Sequence, residues 1–229
     1  PKHHSNEDDG QIGCVLNSLY NRDPMSHGHI NFTRCGLPID VQKRIGEKFW
    51  GSPDTVDAIG DYTPTNIYKM KRLQWVVARK ELHDMLGICS WTAPWEVSPL
   101  REKGYIGDIE MESKVFRAVT GIEMTQDDLD KAGLRAFILQ RLYTMRQLKS
   151  RNPRQDHDQY PEWIFWDPKG KAPFTKGTIR MERSDIEKSF DLFYGLMDFD
   201  VKTGAPTEKS LKEYGLDFAL PTMKQEGLM

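Results

Sequence analysis

The sequence predicts a mainly α protein: an irregular helical bundle with a small irregular β-like excursion near residues 160–182. Three observations predict it. Apolar residues recur three and four apart through the longest stretches, the spacing of one helix face. Three of those stretches open on capping residues. Strand-like pieces are confined to one segment, WIFWDPKGKAPFTKGTIRM, which is broken by Pro and Gly and reads as an irregular hairpin.

The elements follow in order. GCVLNSLYNRD holds a short buried helix, and SHGHINF after it reads as loop. IDVQKRIGEKFW is amphipathic, with Val41, Ile45 and Phe49 four apart. GSPDTVDAIGDY is a turn-rich connector. Thr63-Pro64 then reads as a helix start, a capping hydroxyl followed by proline at the first helical position. That helix carries Ile67, Met70, Leu73 and Val77 on one face and runs to about Gly87. TAPWEVSPLREKGY is a loop broken by two prolines. A further helix is expected from Asp108 to Thr120. Thr125 to Asp128 forms a capping box with Asp in place of Glu. It opens a long helix to about Leu148, with Leu134, Ile138, Leu142 and Met145 in register. RNPRQDHDQYP is a polar break. Ser184 to Glu187 is a second capping box, expected to start a helix to about Met197. A turn and a short last helix close the pattern in VKTGAPTEKSLKEYGL. No internal repeat or low-complexity run interrupts it.

Composition narrows the function classes. The chain has 229 residues, with 32 Lys plus Arg against 34 Asp plus Glu and a net charge of −2. That balance offers no electrostatic footprint for nucleic acid. No apolar run approaches the ~20 residues of a membrane span. The three cysteines, Cys14, Cys35 and Cys89, form no disulfide framework and point to a reducing compartment, the cytoplasm. The opening PKHHSNEDDG has neither a Met nor a signal-peptide pattern, so the expectation is a processed chain or the later part of a longer one.

The informative stretch is HDMLGICSW, residues 83–91, where the helical pattern runs out. A helix end needs Gly87 but needs neither Asp84 nor Cys89. A thiolate is a soft ligand suited to iron–sulfur clusters or zinc. An ionised carboxylate only accepts hydrogen bonds, and so suits the N–H groups of a polar heterocycle. Glycine lets the backbone approach a bulky ligand. The plainer reading makes Gly87 a cap, Cys89 a small hydrophobe and Asp84 a solvated acid. His83, next to Asp84, is read as solvent-facing.

DMLGIC resembles the D-x-x-G-L-C motif of the aldehyde ferredoxin oxidoreductase family, with Ile88 in place of Leu. AVTGIEMTQDDLDKAGLRAFILQRLYTMR is similar to that family's T-G-x-E-x-T-x-x-x-L-x-x-A-x-R-x-x-x-L-x-R pattern. DLFYGLMDFDVKTGAPTEKSLKEYGL resembles its closing segment, where Y-x-x-x-G-W-D, T-G-x-P-T and L-x-x-L-G-L are typical and Phe199 stands in the Trp position. VSPL, HHSNE and NRDPMSHGHINF look closest to the enterobacterial-type branch.

The resemblance implies that residues 1–229 are the C-terminal helical domain of a longer oxidoreductase. It implies a tungsten or molybdenum bis-pterin and a 4Fe-4S cluster as cofactors. By it, Asp84 hydrogen-bonds a pterin, Cys89 is the fourth cluster ligand, and Gly87 and Ile88 give close backbone approach. The other three cluster cysteines lie in a C-x-x-C-x-x-x-C motif that this sequence lacks, as it lacks the pterin-cradling β domain. The implied partners are that N-terminal remainder, a ferredoxin or ferredoxin-like subunit, and a small-molecule substrate. The implied reaction is aldehyde oxidation to a carboxylic acid, or within the class reduction of activated aromatic or carboxylic substrates. A cofactor-free helical interaction module is the alternative from another class.

Other candidates rank lower. His27, beside Gly28 and His29, is a candidate proton donor or orienting group at the metal centre; His3 and His4 are a lesser pair. Asp57 to Asp61 spells the family's second pterin motif, D-x-x-G-D, but lies only 27 residues before Asp84 and reads as an ordinary turn. Cys14 and Cys35 are expected in the core, with the aromatic set Trp91, Trp95, Trp163 and Trp166. Arg146 and Lys149 are expected to be solvated.

Overall fold

The computed structural model describes residues 10–20, 36–58, 61–89, 95–160, 162, 165 and 181–229. Among these, secondary structure is helical, with three isolated β-bridges and no longer strand. The expected β-like excursion near 160–182 falls almost wholly outside the described residues.

The first helix, α1 (Gly10–Leu19), is buried at all ten positions. α2 (Ile39–Trp50) turns out through Gly51 at φ 85. It packs Val41, Ile45 and Trp50 with Val56 into a small second core. α3 (Ile67–Leu86) and α5 (Gln126–Leu148) form the central pair. Met70, Leu73 and Val77 of α3 are fully buried, as are Ile138, Leu142 and Met145 of α5. A side chain at Gly133 would place its Cβ 2.1 Å from the Ala78 carbonyl oxygen, so the two helices cross backbone to backbone. α4 (Met111–Thr120) lies between them in sequence, and its one buried residue is Glu112. After α5 come the four-residue α6 (Pro153–Asp156), α7 (Arg183–Leu196), α8 (Glu208–Glu213) and α9 (Leu220–Gln225). Phe190, Phe193 and Tyr194 of α7 complete the main core, which meets the smaller one at Trp75.

Three helix starts differ from expectation. α3 opens at Asn66, whose side chain accepts from the Lys69 N–H, and not at Thr63-Pro64. Thr63 is spent elsewhere: its hydroxyl and N–H both donate to Asp57, at 2.8 and 3.2 Å. α4 starts at Met111, three residues later than expected. α7 starts at Arg183 with no side-chain cap. Asp185, expected inside a capping box there, instead accepts the Thr65 N–H at 2.9 Å and Gln11 Nε2 at 2.5 Å. The Thr125–Asp128 capping box forms in both directions, as expected.

Candidate functional site

α3 ends at the HDMLGIC stretch. Gly87 sits at φ 69, ψ 25, the left-handed conformation that ends a helix without steric cost in glycine. Its N–H bonds to the His83 carbonyl. The Ile88 N–H donates to the same oxygen at 2.9 Å. A Cβ built at Gly87 meets nothing within 4 Å among the described residues, so none of them crowds the backbone there. Cys89 follows, exposed and in no disulfide. Asp84, one turn before Gly87, pairs with Lys80 while keeping its side chain 39% exposed.

The inward side of the same turn is different. His83 is wholly buried, which corrects its reading as solvent-facing. Its Nε2 lies 2.9 Å from Glu112 Oε1. The second Glu112 oxygen accepts from Arg79 Nη1 at 2.7 Å. A carboxylate held this way is an acceptor, so His83 donates through Nε2. Arg79, one turn earlier than His83, also donates through Nε to Asp130 of α5 at 2.6 Å. Burial pushes the Asp130 carboxyl upward against the pull of Arg79. Arg79 stacks over Trp75 at 5.0 Å. The helix end is thus tied to α4 and α5 by a buried, hydrogen-bonded charge network.

Two more acids stand close by. Glu81 accepts from Gln140 Nε2 at 2.5 Å. Burial first and Asp84 second push its carboxyl up to about 7, against Lys80, Tyr20 and Gln140. Glu96 is wholly buried, and neither of its oxygens has a hydrogen-bond partner among the described residues. Burial raises it to about 7 as well, opposed by its own backbone N–H and then by Arg72 and Arg79, and reinforced by Glu112. Its backbone is pinned by the Gly107 N–H at 3.0 Å. A side chain at Gly107 would drive its Cβ to 1.9 Å from the Trp95 oxygen.

Asp84, Gly87, Ile88 and Cys89 are therefore together at one helix end. His27, Cys35, His3 and His4 lie outside the described residues, as do Trp91, Trp163 and Trp166. Cys14 is buried in the core, as expected, and Trp95 is half-buried. Asp57 is committed to Lys69 Nζ at 2.5 Å and to Thr63, the structural use expected of a turn residue. Arg146 makes a surface pair with Glu226. Lys149 takes the left-handed position after α5. The residues missed by pattern reading are His83, Arg79 and Glu112. One signal could have found two of them: Arg72, Val76, Arg79 and His83 are spaced four, three and four apart, one stripe of the helix.

Among the described residues no group of three or more His, Cys, Asp or Glu side chains is placed to hold a metal ion. No helix among them is long and apolar enough to cross a membrane. The donor chemistry at residues 84–89 nonetheless fits a metallocofactor: a soft, exposed thiol, a half-exposed carboxylate and, among the described residues, no side chain crowding Gly87.

The family model described as "Aldehyde ferredoxin oxidoreductase, domains 2 & 3" matches residues 27–216. The chain belongs to the aldehyde ferredoxin oxidoreductase family, an oxidoreductase family. Asp198 stands where the closing motif has glycine, and it adopts φ 53, the left-handed region.

Proposed function

We propose that residues 1–229 are the helical C-terminal part of a tungsten or molybdenum bis-pterin, iron–sulfur oxidoreductase. One observation carries the reading: Cys89 is exposed two residues beyond the left-handed Gly87, one turn past Asp84. In this reading Cys89 gives one thiolate to a 4Fe-4S cluster. Such a cluster takes about four thiolates and the sequence has only two other cysteines, so the set cannot be completed within this chain, and the resemblance puts the other three ligands outside it. Asp84 accepts a hydrogen bond from a pterin, with Lys80 holding its carboxylate in place. Gly87 and Ile88 bring the backbone against the cofactor. His27 acts as a proton donor or orienting group at the metal centre.

The bound cofactors supply two-electron oxidation of an aldehyde with water to a carboxylic acid, and one-electron transfer onward. The chain's own part is orientation, hydrogen bonding and exclusion of bulk water. The electrons pass to a ferredoxin or ferredoxin-like subunit, in the cytoplasm.

The test is Cys89→Ala in the holoenzyme, followed by electron paramagnetic resonance of the reduced protein. Loss or gross perturbation of the cluster signal is expected. A parent-like signal overturns the assignment. Elemental analysis of the native preparation should give tungsten or molybdenum with about four irons per copy, the content of one such cluster. Neither metal would favour the cofactor-free module instead.

A further inference from the structure

We infer that His83 is a positioning residue for the turn that carries Cys89, an inference that rests on the assignment of Cys89 as a cluster ligand. The His83 carbonyl oxygen accepts from both N–H groups, Gly87 and Ile88, by which the chain leaves α3. The placement of Cys89 therefore depends on where that one oxygen points. The His83 side chain decides this. It is wholly buried and donates to Glu112, the one buried residue of α4. Glu112 also grips Arg79, one turn back on the same face of α3, and Arg79 reaches on to Asp130 in α5. The last two turns of α3 are thus fixed in rotation from two neighbouring helices.

The choice of residues is informative. Burying an ion-pair network costs desolvation, and well-packed apolar side chains of similar volume often give equal or better stability. Apolar contacts are non-directional, however, and permit a helix end to roll. Hydrogen bonds weaken steeply with angle and do not. Successive helical residues point about 100° apart. Holding His83 inward therefore sets Asp84 on the half-exposed side, and sets the direction in which Gly87 and Cys89 depart.

The test compares His83→Ala and His83→Gln with the parent holoenzyme by redox titration of the cluster's paramagnetic signal. Glutamine carries an N–H donor at about the reach of Nε2. His83→Ala should shift the midpoint potential and change the line shape at unchanged iron content, and His83→Gln should restore both. A parent-like potential and line shape in His83→Ala overturn the inference and leave the Cys89 assignment standing. A parent-like cluster in Cys89→Ala removes the assignment beneath it. A second measurement needs no cofactor: amide hydrogen exchange of the full chain. In His83→Ala the Ile88 amide should exchange about tenfold faster, the worth of one hydrogen bond. Val77, in mid-helix, should be unchanged, and glutamine should restore Ile88. An unchanged Ile88, or equal acceleration at Val77, overturns the inference.

Discussion

Glu96 is wholly buried near two guanidinium groups, and its side chain hydrogen-bonds to neither. Arg79 is committed to Glu112 and Asp130, and Arg72 donates to the Thr55 carbonyl at 3.2 Å and stacks over Trp50. The carboxyl is left to burial, which lifts it from 4.5 to about 7. A folded value above the unfolded one means that the folded chain holds the extra proton between the two. The stability it contributes is complete below about 4.5 and is lost as pH rises through about 7. At ~1.4 kcal/mol per unit this is on the order of 3 kcal/mol. Glu81 is raised to the same value, by burial and then by Asp84, and contributes alongside it. Glu96→Gln should therefore flatten the fall in stability between pH 5 and pH 8 without abolishing it, because Glu81 and Asp130 are raised by burial as well. Urea unfolding at a series of pH values measures it. An unchanged slope would mean that Glu96 is ionised in the fold.

At the scale of elements, α3 and α5 set the architecture by touching. The Ala78 oxygen occupies the place a Cβ at Gly133 would need, 2.1 Å away. Gly133→Ala would gain about 1 kcal/mol in helix propensity. Against this, forcing two backbones apart in a packed core costs about 3 kcal/mol. A net loss of about 2 kcal/mol in urea unfolding is the expected outcome, and a stabilised variant would refute the crossing. The same scale shows what pattern reading captured and what it missed. The cap at Thr125 was legible because both partners lie within three residues. The similar string at Ser184 was misread because Asp185 is claimed by Thr65, 120 residues away. Glu187, its fourth member, is likewise claimed by Arg154 at 2.7 Å. The Thr63-Pro64 start failed for the same reason, with Asp57 and Lys69 holding the segment out of the helix. That Asp84, Gly87 and Cys89 share one helix end was legible, because the string is contiguous. The place of His83 was not legible, because its burial depends on a carboxylate 29 residues on, in another helix. Apolar periodicity understates α3 because Lys69, Arg72, Arg79 and His83 are buried through their partners and not through hydrophobicity.

Across the whole molecule, Arg141 does for the C-terminal segment what Arg79 does for the helix end. From α5 it donates through Nε to the Gly204 oxygen at 2.7 Å, and through both Nη atoms to Asp158 at 3.1 and 2.5 Å. Tyr194 of α7 donates its hydroxyl to the same carboxylate, and His157 lies 2.8 Å from its other oxygen. One buried ion pair thereby joins α5, the chain after α6, α7 and the turn before α8. Burial alone would raise Asp158, yet Arg141 with the hydrogen bonds of His157 and Tyr194 brings it down to about 2. Burial and Asp158 push the Tyr194 hydroxyl up, so it stays a donor. The folded value of Asp158 lies below its ordinary 3.8, so its contribution is present above that pH and is lost as pH falls through about 2. Arg141→Met should cost about 3–5 kcal/mol, because it leaves a buried carboxylate without its cation. Asp158→Asn strands the guanidinium instead and should cost a comparable amount, while removing the acid-limb slope between pH 4 and pH 2. The double variant removes both charges and should be clearly more stable than the sum of the two single losses predicts. A double-mutant cycle by urea unfolding at neutral pH measures this. Additive losses would mean that the two groups are not coupled, and that the C-terminal helices are held to α5 by apolar packing alone.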